Sequence, residues 1–298
     1  MDPKTAKILA APEIAIKRFE GRNSWPAYSL DGKFLAYVTS RSRTFQSAIK
    51  PKILCIRSLD TGTDREFANR FGRLAAPRWS PDGQFIYVAA WDEEGMGIYR
   101  VDAQNGEFTP IVRAEPPARL HRHEISPDGN ILIYARRDNS KEAYRVLSRN
   151  LTTGEEKQLN AGDHAMFSIS PDGRRLALIN RDKRKVLQVM PVGGGEPKVL
   201  LRFEEPRQFF GTIEWTADGK YILFPRVHAT KDGQQFAMWR IAAEGGEPQE
   251  LNLVMANFED LSAHPDGQHL AFDSPGFTQK SPAVWVMENF LPALQAAK

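Results

Sequence analysis

The chain contains a single cysteine, Cys55, so no intramolecular disulfide is available to staple the fold. Cys55 lies in the apolar run Ile53-Leu54-Cys55-Ile56, which reads as a buried strand with an inert thiol. Long apolar runs are also missing. No stretch approaches the roughly 18 residues that cross a bilayer, so no membrane insertion is expected. The first twelve residues lack the apolar centre of a secretory leader. Charge bias is weak. Lys and Arg number 40 against 37 Asp and Glu, a net of +3, which does not suggest nucleic-acid binding. No long segment has helical periodicity.

Catalytic signatures are equally scarce. There is no Gly-x-Ser-x-Gly nucleophile elbow. The glycines Gly193 to Gly195 are not followed by the Lys-Ser or Lys-Thr of a phosphate loop. His123-Glu124 has Pro127 where a zinc-protease helix needs its second histidine. The expectation is a non-enzyme with no catalytic residue, no cofactor and no resident metal.

What the chain does have is a repeat. Asp-Gly pairs recur at Asp31-Gly32, Asp82-Gly83, Asp128-Gly129, Asp172-Gly173, Asp218-Gly219 and Asp266-Gly267. The intervals are 51, 46, 44, 46 and 48 residues, a mean of 47, in the range of propellers and solenoids. Three copies read Ser-Pro-Asp-Gly, beginning at Ser80, Ser126 and Ser170. The others begin at Ser29, Thr216 and His264. A hydroxyl that bonds back to the backbone, a proline that pre-sets φ and a left-handed glycine make a type I hairpin turn.

Each turn joins a strand A to an apolar strand B such as Phe85-Ile86-Tyr87-Val88. A third strand, C, and a Gly-bearing turn into a strand D complete the repeat. Six four-stranded units predict an all-β, six-bladed propeller filling residues 1–298 as one domain. The blades fall near 20–68, 69–113, 114–160, 161–201, 202–252 and 253–291. The last repeat runs out after strand C, and an orphan strand at 13–19 precedes the first. That N-terminal strand is expected to close the ring as strand D of blade 6.

The Ser-Pro-Asp-Gly turns, the Gly-Gly-Glu-Pro turns at Gly194 to Pro197 and Gly245 to Pro248, and the six-fold count resemble the TolB-like propellers, a WD-like repeat family. The resemblance covers nearly the whole chain. It implies a bacterial recognition or sensor domain, non-catalytic, that binds a protein or peptide, with a periplasmic location. A monomer is expected.

Blade topology indicates where such a ligand would bind. A–B and C–D turns share one face and are short and stereotyped; the B–C loops of the other face read as long and varied, which makes it the working face. Its basic residues are Arg41, Arg43, Lys50 and Lys52 in blade 1 and Arg136, Arg137 and Lys141 in blade 3. Arg181, Lys183, Arg184 and Lys185 follow in blade 4, and Arg226, His228 and Lys231 in blade 5. Blade 2 opposes them with Asp92, Glu93 and Glu94. A basic rim suits an acidic partner.

Strand A lines the channel. Counted back from each Asp, the sixth position reads Trp25, Ala76, Arg122, Met166, Thr212, Asp260, and the fourth reads Ala27, Arg78, Glu124, Ser168, Glu214, Ser262. Strand alternation puts both sets on one side. Arg78, Arg122, Glu124, Glu214 and Asp260 then either pair among themselves or form a mixed-charge socket. His121 and His164 stand near the mouth. With His123 they offer a zinc or manganese set, although His123 falls in the apolar register of a core residue. The alternative function is a metal-dependent hydrolase or lyase that activates water on Glu124, Glu214 and Asp260.

Overall fold

The computed structural model describes residues 12–16, 22–40, 52–68, 71–159, 164–180, 185–204, 209, 211–230, 233–274 and 283–288. These residues form six four-stranded antiparallel sheets, one per repeat, and no helix. Strands A to D are Arg22–Tyr28, Phe34–Ser40, Ile53–Ser58 and Asp64–Phe67 in blade 1, and Arg73–Trp79, Phe85–Asp92, Gly95–Asp102 and Phe108–Ala114 in blade 2. Blade 3 has Arg119–Ile125, Ile131–Arg137, Arg145–Asn150 and Glu156–Leu159; blade 4 has His164–Ile169, Arg175–Asn180, Val186–Pro191 and Lys198–Arg202. Blade 5 has Glu214–Trp215, Tyr221–Thr230, Gly233–Ala242 and Gln249–Met255.

Blade 6 takes strands A to C from Glu259–Ala263, His269–Ser274 and Ala283–Glu288, and its fourth strand is Glu13–Ile14. Glu13 pairs with Val286 and Ile14 with Trp285, so the N-terminal strand closes the ring as the sequence predicts. Residues 17–19 of the expected closing strand lie outside the described residues. Ile16 anchors the closure in a cluster with Leu35, Tyr37, Cys55, Ala271 and Val284, which spans blades 6 and 1. Cys55 is buried there, as expected.

The turns do what their chemistry dictates. In five blades the Ser or Thr hydroxyl donates to the turn aspartate at 2.5–2.6 Å and accepts the backbone N–H five residues on. The turn glycine N–H returns to the first residue's carbonyl, at 2.8–3.0 Å in all six copies. Blades then pack through aliphatic and aromatic faces. Trp79 and Trp215 each bury their rings and donate Nε1 at 3.0 Å to the preceding blade's strand A, at Ala27 and Ser168. Each such residue contributes about 1.5–3 kcal/mol through burial, and the bond satisfies an indole N–H that burial would otherwise strand.

Two expectations about the B–C face change. In blade 2 strands B and C run into a tight hairpin, Asp92 opposite Gly95, and in blade 5 Thr230 lies opposite Gly233. Long B–C loops are therefore not general. Consequently Arg226 is a strand residue, paired with Ala237, rather than a loop residue. The alternation assumed for strand A is also interrupted. A register shift occurs in strand A of blades 1, 2, 3, 4 and 6. In three of them the sixth position itself is left-handed: Trp25 at φ 55°, Ala76 at 52° and Asp260 at 44°. Bulges of this kind re-aim side chains at the end of a strand.

Candidate binding site in the central channel

All six fourth-position residues, Ala27, Arg78, Glu124, Ser168, Glu214 and Ser262, line one central cavity of about 250 Å³. The second residues of all six turns line it too: Leu30, Pro81, Pro127, Pro171, Ala217 and Pro265. The cavity therefore lies at the A–B turn end of the channel, the end opposite the B–C loops. Leu30 is 53% exposed at this rim.

At the inner end of the cavity the charged residues meet. Arg78 Nε donates to Glu124 Oε2 at 3.0 Å, and Arg122 Nε to Glu124 Oε1 at 2.8 Å. Arg122 also lies 3.9 Å from Glu214 Oε2 and 3.8 Å from Asp260 Oδ1. Its side chain is 4% exposed. Ser168 adds a long contact to Glu214 at 3.4 Å. Pairing within the group thus accounts for much of the charge. It does not account for all of it: Nη2 of Arg78 is buried with no hydrogen-bond acceptor, whereas Nη2 of Arg122 lies 2.8 Å from Glu124 Oε1.

Protonation follows from this geometry. Burial pushes Glu124 up, but the guanidiniums of Arg78 and Arg122 outweigh it and hold the carboxyl below its ordinary value. Burial, reinforced by the Glu124 charge, pushes Glu214 up to about 7. Burial likewise pushes Asp260 up to about 6, against the pull of Arg122 and Arg78. Near neutrality the layer therefore carries two guanidiniums and the Glu124 carboxylate, with Glu214 partly protonated and Asp260 largely ionised.

The other predicted residues are dispersed. Trp25 is half-buried, with Lys52 Nζ 4.3 Å from its ring centroid and the Arg22 guanidinium at 5.9 Å. Burial and the like charges of Arg22 and Arg73 push Lys52 down to about 8. His121 is exposed and packs edge-on against Tyr144. His123 is fully buried, its Nε2 3.2 Å from Tyr87 O, and burial lowers it to about 4. It is a core residue and does not join His121 on one side. His164 begins strand A of blade 4, and its side chain lies outside the described residues. Arg136 is bonded to Asp138 at 2.8 Å, and Arg137 lies over Tyr144. Arg41, Arg43, Arg181, Lys183 and Arg184 lie outside the described residues. Asp92 and Glu94 are held by Arg113 at 2.9 and 2.8 Å.

One buried charge escaped the sequence reading. Asp273, in strand B of blade 6, is 1% exposed, and neither carboxylate oxygen has a hydrogen-bond partner. Burial pushes its carboxyl well above the usual range, with Asp260 and Glu259 adding to the effect. Seven residues after their own Asp, the other blades carry Val38, Ala89, Ala135, Ile179 and Pro225. Comparison of the repeats at that position was the available signal.

A family model described as the TolB beta propeller domain matches residues 6–204. The chain belongs to the TolB β-propeller family. Among curated relatives of this TolB-type propeller, the Tol-Pal system protein TolB of Francisella tularensis is 24% identical over 176 residues. That match covers 57% of this chain and 39% of the relative, so the chain spans well under half the length of the curated protein. Among solved structures, a putative TolB from Agrobacterium tumefaciens superposes with a TM-score of 0.66 at 17% identity, covering 90% of both chains. Regucalcin, a calcium-binding protein from the same organism, superposes with a TM-score of 0.65 at 14% identity, covering 94% of both. At such identities the two superpositions establish the shared six-bladed fold alone.

Proposed function

We propose that this TolB-type propeller is a non-catalytic recognition domain that binds a protein or peptide segment at its channel and B–C loop face, and that it works in the periplasm. The observation that carries the reading is the buried Arg78 guanidinium, which lines the cavity of about 250 Å³ and keeps Nη2 without an acceptor although its Nε donates to Glu124. Buried donors of this kind cost free energy until an acceptor arrives. An acidic side chain or a chain-terminal carboxylate supplies one, with bidentate geometry available at a guanidinium. Partial protonation of Glu214 near neutrality, joined by Asp260 as pH falls toward 6, lowers the electrostatic cost of admitting it.

The metal-dependent hydrolase reading fits the residues poorly. Arg122 stands within 4 Å of Glu124, Glu214 and Asp260, so a fixed cation already occupies the space where those three carboxylates would hold a metal. Two guanidiniums beside that space oppose a second cation.

Panning the intact protein against random peptides tests the proposal. Enrichment of Asp- and Glu-containing or carboxyl-terminal sequences, weakened by salt and by Arg78→Gln, is expected. Point changes at the two ends then locate entry: Leu30→Arg blocks the turn end, His121→Glu the B–C end. Selected peptides without acidic character, or binding indifferent to Arg78→Gln, would refute the channel site.

A further inference from the structure

The turn of blade 6 departs from its five counterparts at two positions, and both departures are histidine. His264 stands where the other turns place Ser or Thr, and His269 stands where they place Phe34, Phe85, Ile131, Arg175 and Tyr221. The carboxylate of Asp266 consequently lies between two imidazoles. His264 Nδ1 is 3.0 Å from Oδ1, and His269 Nδ1 is 2.6 Å from Oδ2. One nitrogen of each ring and one carboxylate oxygen all lie within 4.8 Å of one another.

The surroundings orient the rings as a metal needs them. His264 Nε2 faces the Gly32 carbonyl of blade 1 at 3.0 Å. A carbonyl only accepts, so Nε2 carries the hydrogen and Nδ1 is left as an acceptor, which takes the Asp266 backbone N–H at 3.2 Å. A cation seated between Nδ1 and the carboxylate oxygen 3.0 Å away would draw on the same lone pair in place of that N–H. Metal-bound histidines characteristically donate their other nitrogen to a carbonyl or carboxylate. His269 is held from its Nδ1 side, at 2.6 Å from Asp266 Oδ2, while its Nε2 stands 3.6 Å from Glu288 Oε1, beyond hydrogen-bond distance. Gly32 contributes by its missing side chain: a Cβ there would fall 2.7 Å from the His264 ring.

We propose that His264, Asp266 and His269 form a binding site for one first-row divalent cation of the zinc, cobalt or nickel class, on the A–B turn of blade 6. Two imidazoles and one carboxylate suit these borderline ions and disfavour calcium and magnesium, which take oxygen ligands. The ligands are partly exposed, so water completes the coordination and the ion exchanges with solution. Because His264 reaches across to Gly32, the bound ion also stabilises the seam between blades 6 and 1 by favouring the closed ring. No channel residue takes part, so the site stands independently of peptide recognition.

Titration of the protein, prepared without a histidine tag, with cobalt tests this directly. One equivalent should bind saturably, give a visible absorption band, be displaced by zinc and raise the melting temperature. His264→Ser and His269→Phe install the residues of other blades, and His269→Phe leaves the His264–Gly32 contact untouched. Both variants should melt cooperatively without metal and lose the band and the metal-dependent shift. Absence of saturable binding by the parent protein would overturn the site and leave a proton-held His–Asp group. A full equivalent retained in both variants would place the ion elsewhere and overturn it equally.

Discussion

Arg122 donates from Nε to Glu124 Oε1 at 2.8 Å, although the two are only two residues apart on one strand. Their shared direction into the channel is what makes that bond available, and Arg78 of the neighbouring blade completes it from the other side. Breaking a buried pair by removing one partner typically costs about 3–5 kcal/mol, because the other charge stays buried. Arg122→Met should therefore lower the unfolding free energy, read from urea denaturation, by an amount of that order. A loss below roughly 1 kcal/mol would mean that water screens the layer as it does at a surface. Reversal to Arg122→Glu would add a fourth carboxylate to the group, so it reports on folding before it reports on binding.

The raised carboxyls set a pH dependence with a defined sign. Unfolded Asp and Glu titrate near about 4, whereas Glu214 and Asp260 hold their protons to about 7 and 6. Across that window the folded protein binds more protons than the unfolded chain, so stability falls as pH rises. Glu214→Gln and Asp260→Asn should flatten the slope of stability between pH about 4 and 7. Acidic-peptide affinity should rise as pH falls through 7 toward 6, since protonation removes competing carboxylates. Affinity that weakens on acidification would contradict the arginine-centred site.

Asp273 gives a sharper version. It is buried with unpartnered oxygens and raised well above its ordinary value. Asp273→Asn keeps its shape and removes the charge. The variant should melt higher than the parent at neutral pH and alike only below pH about 3, where both unfolded and folded parent carry the proton. Equal melting curves at both pH values would show that the carboxyl is already paired.

Closure of the ring depends on a short strand. Ile16 is 2% exposed in the cluster joining blades 6 and 1. Ile16→Ala should cost about 2–5 kcal/mol, as aliphatic truncation in a core does. Removing residues 1–20 should lower the melting temperature further, by opening blade 6 to a bare strand edge. An unchanged midpoint in the truncated chain would mean that the ring holds without its N-terminal strand.

Two glycines separate backbone strain from packing. Gly32 and Gly83 occupy equivalent turns at φ 70° and 69°. A Cβ at Gly83 meets nothing within 4 Å, whereas at Gly32 it strikes the His264 ring. Gly83→Ala should cost about 1–3 kcal/mol from the left-handed backbone alone. Gly32→Ala should cost clearly more, and equal losses would show that the His264 ring yields freely.

The sequence by itself determined the number of blades, the turn chemistry and the closing strand, and of its two sets of strand A positions the fourth lines the cavity while the sixth does not. Those are local or periodic properties: a hydroxyl, an aspartate and a glycine make the same turn wherever they recur, and a fixed offset from that turn returns the same strand position in each blade. It did not show the bulges at Trp25, Ala76 and Asp260, or the tight B–C hairpins of blades 2 and 5. These come from curvature around a closed ring and from pairing with neighbouring strands. Only the tertiary structure could decide between a free socket and paired charges in the channel. Arg78, Glu124, Glu214 and Asp260 come from different blades, and the energy of each depends on the distance and burial of the others. The result is intermediate: Glu124 is matched by both arginines, while Nη2 of Arg78 and the carboxylate of Asp273 are not. The seam histidines depend on the same closure, since His264 and Gly32 lie at opposite ends of the repeat array and meet only when the last blade packs on the first.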